Sequence, residues 1–288
     1  MQHKKRCFNT FVTKNLQCEI GDFLSRKDKL SEIVKVHSID LLPFVNLIPN
    51  EHGDWVNQRK EKFLEYILLE PERKFDIRNA SFFVVNSCGL KTQRDAWTYN
   101  FSIVSLKDIV EKSIDYYNQE RVSLHNGLIS TVDYSTNRIN WTRAVLSDIS
   151  KNKIYNFKDV VFVKAMYRPF CKQCLCYYKP LNEMMYQIPK LFPSINYENL
   201  VISVSSVGSN KGASVLISDC IVDLHFNGDT QCFPLYYYEK RNVQEQTLFD
   251  NVEDEYVRRD AVSDFILKQA RELYGPRVQK EDIFYYVY

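Results

Sequence analysis

The stretch Gln231-Cys232-Phe233-Pro234-Leu235-Tyr236-Tyr237-Tyr238-Glu239 decides how this chain is read. Aromatic side chains fit a pleated, half-buried surface, so the alternating rings predict a core strand. Pro234 has no N–H for a ladder and marks the bend at the strand's entry. The turn residues Phe226-Asn227-Gly228-Asp229 stand just before it. Working outward, Val160–Val163, Leu175–Tyr178, Leu200–Val204 and Val215–Ile217 are short apolar runs of the same kind, and each predicts a strand.

Before Lys153 the periodicity is helical. Ser105 opens an amphipathic helix to about residue 121, with Leu106, Ile109, Val110, Ser113 and Tyr117 on one face. Another runs from Trp141 to Lys151, after a loop rich in Asn, Ser and Thr at 126–140. Ser25 with Asp28 is a helix-start signal, followed by Leu30, Ile33, Val34 and His37. Asp54 is placed to cap a helix carrying Trp55, Arg59, Phe63 and Ile67. Phe82–Val85 reads as a short buried strand. The tail predicts a helix over Val252–Tyr274, ended by Gly275-Pro276, and another over Glu281–Tyr288. The fold class is therefore α+β: a mixed β-sheet region with flanking helices, a helical N-terminal part and a helical C-terminal tail.

A chain of 288 residues, 45% hydrophobic, is long enough for a sizeable core. No apolar run approaches the roughly 18–20 residues that span a bilayer, and no signal-peptide pattern follows Met1, so a cytoplasmic location is expected. A net charge of +2 does not announce nucleic-acid binding, so any such site must be a local patch. Cys171, Cys174 and Cys176 invite a zinc reading, with Cys220, His225 and Cys232 as further donors. Their spacing is not that of two paired knuckles, and free thiols, no metal and no cofactor are expected.

Three polar loops carry the candidate chemistry. Lys91 and Arg94 can neutralise phosphates or donate to guanine, and Thr92 and Gln93 can bond backbone or base edges. Gly89 permits close approach of the backbone. The alternative is a tight turn, with Arg94–Asp95 as an ion pair and Trp97, Tyr99 and Phe101 packed on one sheet face. In Tyr167-Arg168-Pro169-Phe170, Arg168 suits a phosphate or a carboxylate, and Lys172 and Gln173 follow it. Between two strand-like runs, Ser209, Asn210 and Lys211 stand between Gly208 and Gly212, as a groove-entering tip or a plain hairpin loop. Arg143 adds a fourth candidate on a basic helix.

Gly89–Ser102, Tyr167–Phe170, Gln231–Glu239 and Lys280–Tyr288, in this order, resemble the C-terminal target-recognition (specificity) domain of Type ISP restriction–modification enzymes, the single-polypeptide translocase–methyltransferases. The resemblance covers roughly residues 18–288. It implies sequence-specific recognition of double-stranded DNA, with methyltransferase and translocase domains in cis or in a partner chain. It also implies that residues 1–45 include the exit segment of a methyltransferase domain. Residues 46–153 would form the helical or mixed part of the specificity domain, and 154–288 its β-rich part with C-terminal helices. Relatives continue past the last residue, so a truncated end is expected.

No catalytic role is expected of the chain itself. It lacks the (Asn/Asp)-Pro-Pro-(Tyr/Phe) loop of amino-methyltransferases, a P-loop and the Gly-x-Ser-x-Gly and His-Glu-x-x-His motifs. One competing reading is a small Mg²⁺-dependent nuclease built from Asp54, Glu72 and Lys74, although Pro71 interrupts the strand that would carry them. The other is a protein-interaction module using the aromatic blocks.

Overall fold

The computed structural model describes residues 16–17, 25–35, 37–38, 42, 44–51, 53–55, 62, 65–70, 81–135, 137–206, 209, 212–241 and 255–288. These divide into two compact units, Met1–Tyr66 and Ile67–Tyr288. The first holds strands β1 (Leu16–Gln17) and β2 (Val45–Asn46), paired antiparallel, and helix α1 (Arg26–Lys35). The Ser25 hydroxyl accepts from the Asp28 N–H at 3.2 Å and donates to its carboxylate at 2.7 Å, so the expected start signal is the real one.

The second unit packs helices onto one sheet and sets a second sheet behind it. In chain order come β3 (Ser87–Cys88), α2 (Asp95–Thr98), β4 (Tyr99–Asn100), α3 (Ile103–His125), α4 (Arg143–Ser150), β5 (Val161–Arg168), β6 (Cys171–Tyr177) and α5 (Ile188–Leu191). Then follow β7 (Val201–Val204), β8 (Val215–Ser218), β9 (Ile221–Val222), β10 (Gln231–Pro234), β11 (Tyr236–Lys240), β12 (Tyr256–Asp260), α6 (Asp264–Tyr274) and α7 (Lys280–Val287). One sheet has the order β4-β6-β5-β9, antiparallel except for the β5–β9 pair. The other has the order β3-β10-β7-β8 and is antiparallel throughout.

The pleat explains why β6 is apolar at successive positions. Cys174 and Cys176 face the helices, among Leu106, Val110, Ile114 and Tyr117 of α3 and Val145 and Ile149 of α4. Leu175 and Tyr177 face the other way, among Leu90, Val201, Phe226 and Cys232. A strand buried on both sides shows no polar alternation. Across the helical layer Tyr117 stacks on Tyr155 at 3.8 Å and 8°, and its hydroxyl donates to the Lys153 carbonyl at 2.8 Å. Each such ring, fully buried, contributes about 1.5–3 kcal/mol. Cys174 and Cys176 of β6 and Cys232 thus serve separate cores.

Gln231–Glu239 divides differently from the expectation. It is two strands, with Pro234 closing the first opposite Val201 rather than opening one. Cys232 and Phe233 enter different cores on opposite faces of β10. Tyr236 to Tyr238 belong to a separate ribbon in which β11 pairs, among the described residues, only with β12. That ribbon corrects the expected helix over Val252–Tyr274, because Tyr256–Asp260 is a strand and the helix begins at Asp264. Ser263 caps it, its hydroxyl accepting from the Ile266 N–H at 3.2 Å. The Trp97, Tyr99, Phe101 alternation is also corrected. Trp97 sits on the α2 turn, and Phe101 is 73% exposed beyond the end of β4.

Candidate nucleic-acid interface

Segment 89–91 threads between the end of β9 and the loop at Met184. The Leu90 N–H donates to the Val222 carbonyl at 2.9 Å and the Leu224 N–H to the Leu90 carbonyl at 2.8 Å. Lys91 and Met184 exchange both backbone bonds, at 2.9 and 3.0 Å. This closeness requires Gly89: a Cβ there would lie 2.6 Å from the Asp223 carbonyl oxygen.

Beyond Lys91 the chain turns so that Thr92 and Arg94 point inward and Gln93 outward. Thr92 is 1% exposed and Arg94 2%. Gln93 between them is exposed, in the left-handed region at φ 56°, with its carbonyl held by the Asn140 side-chain amide at 2.7 Å. Arg94 donates to the Leu181 carbonyl at 2.7 Å and the Thr142 hydroxyl at 2.6 Å, and lies 3.8 Å from the Glu183 carboxylate. Burial lowers its pKa and Glu183 works against that shift. The expectation that Arg94 and Thr92 meet DNA is therefore corrected: both are sealed in the interior, where Arg94 ties three loops together. Nor does Arg94 pair with Asp95.

Asp95 instead accepts from the Thr92 hydroxyl and from the Tyr167 hydroxyl, the latter at 3.0 Å. Arg168 joins it to a second acid. Its guanidinium donates to Asp223 at 2.7 Å, lies 3.6 Å from the Asp95 carboxylate and rests 3.9 Å over the Tyr167 ring. Asp223 also accepts from the His225 N–H at 2.8 Å. Its side chain is 3% exposed, and burial raises its pKa to about 6, with nearby Asp95 adding to the effect and Arg168 opposing it. Of the two readings of Arg168, the carboxylate partner is the one the structure holds. Gln173 is also corrected, being buried at the start of β6 with its amide toward the Cys171 sulfur.

The remaining candidates lie around this half-buried cluster. Lys91, Thr92, Gln93, Asp95, Asp223, Leu224 and His225 line a cleft of about 260 Å³. Lys91 has no ion-pair partner among the described residues. Lys172 pairs with Asp219 at 2.8 Å, but both are exposed, and such a pair exchanges easily for a phosphate. Arg143 is exposed on the first turn of α4, next to the Thr142 that holds Arg94. The Ser209 N–H donates to Ser206, whose own N–H donates to Gly228 at 3.2 Å, so the third loop starts from the turn before β10. Asn210 and Lys211 lie outside the described residues, as do Glu72 and Lys74. Asp54 is held by Asn50 through two hydrogen bonds, at 2.9 and 3.0 Å.

Of the five described non-glycine residues with left-handed backbone, all but Asn152, which follows α4, stand on loops around this site. Gln93, Phe170, Tyr186 and Asp229 have φ of 56°, 60°, 48° and 46°. Asp229 lies 3.4 Å from the His225 ring, Tyr186 is two residues from the Met184 that pairs with Lys91, and Phe170 is two residues from Arg168. Left-handed backbone at non-glycine residues concentrates where function requires it. The sequence reading passed over Asp223 and Tyr186, weighed His225 only as a zinc donor and named Phe170 only as part of its block. An acid inside the apolar run Ile221-Val222-Asp223-Leu224 was the available signal, because a buried carboxylate needs a partner.

Exposed polar groups and one bare aromatic, on loops locked from beneath, are the architecture of an α+β recognition module. The family model of the Type ISP C-terminal specificity domain matches residues 81–288, and the chain belongs to that family. Solved structures agree. The ATP-dependent Type ISP restriction-modification enzyme LlaBIII bound to DNA is 30% identical, with a TM-score of 0.73 over 95% of this chain. A nuclease-deletion mutant of the Type ISP enzyme LlaGI with a DNA substrate mimic is 30% identical, at 0.72 over 93%. A DrdV–DNA complex is 28% identical, at 0.75 over 96%. The chain spans only 17%, 23% and 26% of those three chains. No curated protein matches it. Among the described residues, no helix is long and apolar enough to cross a membrane.

Proposed function

We propose that this chain selects a short sequence in double-stranded DNA for a Type ISP-like restriction–modification system, and performs no chemistry itself. The observation that carries this reading is the match of residues 81–288 to a specificity domain, joined to a face of strained, rigidly held polar loops. Phosphate contacts from Lys91, Lys172, Arg143 and the Ser209–Lys211 loop would set the register, and Gln93 at the cleft mouth would read a base edge. Methylation, translocation and cleavage would belong to domains in cis or to a partner chain, which also provide the other wall of the DNA cleft. Residues 1–45 would enter from the methyltransferase side.

Selection from a random duplex library at low salt tests this. The expected result is enrichment of one short motif, with weak affinity that falls as salt rises. A Lys91→Ala, Lys172→Ala double variant should bind less well. Retention of duplexes with no common motif, or no retention, would refute the reading.

A further inference from the structure

We infer that Phe170 is an aromatic wedge that inserts at a base step of the target duplex. This inference rests on the DNA-recognition reading and adds a residue that acts by stacking rather than by charge. Phe170 lies at the tip of the β5–β6 hairpin and is 90% exposed, a higher value than any other large hydrophobic residue among those described. Its backbone is left-handed, at φ 60°. A bulky residue gains nothing from that conformation, and an exposed ring gains nothing from folding. Glycine would suit the turn better on both counts, so the phenylalanine needs a reason outside the fold.

The hairpin backbone that carries the ring is held in place. Its stems pair from Val161↔Tyr177 to Arg168↔Cys171, with a register shift between Met166 and Arg168 that twists the tip. On one side of the tip, Arg168 is clamped to Asp223 and Asp95. On the other, Lys172 is paired with Asp219. Pro169 fixes φ immediately before the ring. A rigid apolar tip flanked by groups that can form hydrogen bonds and ion pairs suits a nucleic-acid groove. Phenylalanine wedges of this kind unstack a base step, and the contact is lost when the ring is removed.

The test uses the whole chain and the duplex that it enriches from a random library. Wild type, Phe170→Ala, Phe170→Gly and Phe170→Trp are compared for binding to that duplex and to an unrelated one, and for thermal unfolding. Copies of the enriched duplex carry 2-aminopurine at each position in turn. Phe170→Ala should weaken binding to the enriched duplex about 5–150-fold, in line with the loss of one stacked aromatic. Binding to the unrelated duplex should stay unchanged, Phe170→Trp should bind like wild type, and Phe170→Gly should unfold no earlier than wild type. Wild type should brighten 2-aminopurine at one step, and Phe170→Ala should not. If wild type enriches a motif but Phe170→Ala binds it equally well, or no position brightens, the wedge is wrong and recognition stands. That result would leave the ring to dock on protein. If wild type enriches nothing, both readings fall.

Discussion

Replacing Arg94 with alanine should unfold the protein well before it could be read as a DNA-binding defect. The side chain is 1% exposed and gives its two best hydrogen bonds to the Leu181 carbonyl and the Thr142 hydroxyl, at 2.7 and 2.6 Å. Longer bonds reach the carbonyls of Thr92 and Asn140 at 3.3 and 3.4 Å, and Glu183 lies at 3.8 Å. Truncation strands these acceptors and leaves Glu183 without its counter-charge in a place water reaches poorly. Breaking a buried charge pair in this way costs about 3–5 kcal/mol. In a unit the size of Ile67–Tyr288 each kcal/mol moves Tm by about 2–4 °C, so Arg94→Ala should lower Tm by about 6–20 °C. Arg94→Lys should recover little, since a single ammonium cannot span the carbonyl and the hydroxyl as the planar fork does. Circular dichroism melts of the three proteins measure this, with duplex binding compared at a temperature where all are folded. A Tm within about 2 °C of wild type, together with lost DNA binding, would refute the reasoning and return Arg94 to the contact surface.

Gly89→Ala should cost about 1–3 kcal/mol, seen in urea unfolding, because the new methyl meets backbone at Asp223 and Leu224 rather than a movable side chain. Asp223 titrates near 6 when folded, against 3.8 ordinarily, so it stabilises the fold fully below about pH 4 and loses that contribution as pH rises through 6. Wild type should therefore lose on the order of 3 kcal/mol relative to Asp223→Asn between those limits, and a pH-independent difference in urea midpoints would contradict it. Lys91→Ala should reduce the slope of log affinity against log salt by about 1, with little change in Tm.

The helical layer was legible because its contacts are local in sequence. Leu106, Val110, Ser113 and Tyr117 recur at helical spacing, and all four are buried on α3. The tail misled for the opposite reason. Tyr256, Val257, Ala261 and Phe265 also fit a helical row, but Tyr256–Asp260 finds its partner in Tyr236–Lys240, and pairing across that separation leaves no local mark. The site was legible as a set of loops and not as a set of contacts. Arg94 and Lys91 are equally basic on paper. Only the folded chain shows that one lies under Thr142 and the other at a cleft mouth.

That difference divides labour within the proposed recognition face. Arg94, Thr92, Asp95, Arg168 and Asp223 form a layer whose members bind one another, so a change in any of them disturbs the fold. Gln93, Phe170 and Lys172 stand exposed on that layer, and half-buried Lys91 lines the cleft beside it. The burial of Asp223 follows from this arrangement. Arg168 can hold the hairpin tip in place only if something fixed holds Arg168, and surface carboxylates would be too mobile to do so. Desolvating Asp223 is the cost, visible in its raised pKa. What the layer supplies is position: outer side chains whose chemistry can differ while their place in the fold does not. On the proposed reading, a domain that must present DNA-contacting side chains on a fixed scaffold needs this separation, and here it runs between neighbours in sequence, at exposed Gln93 and buried Arg94.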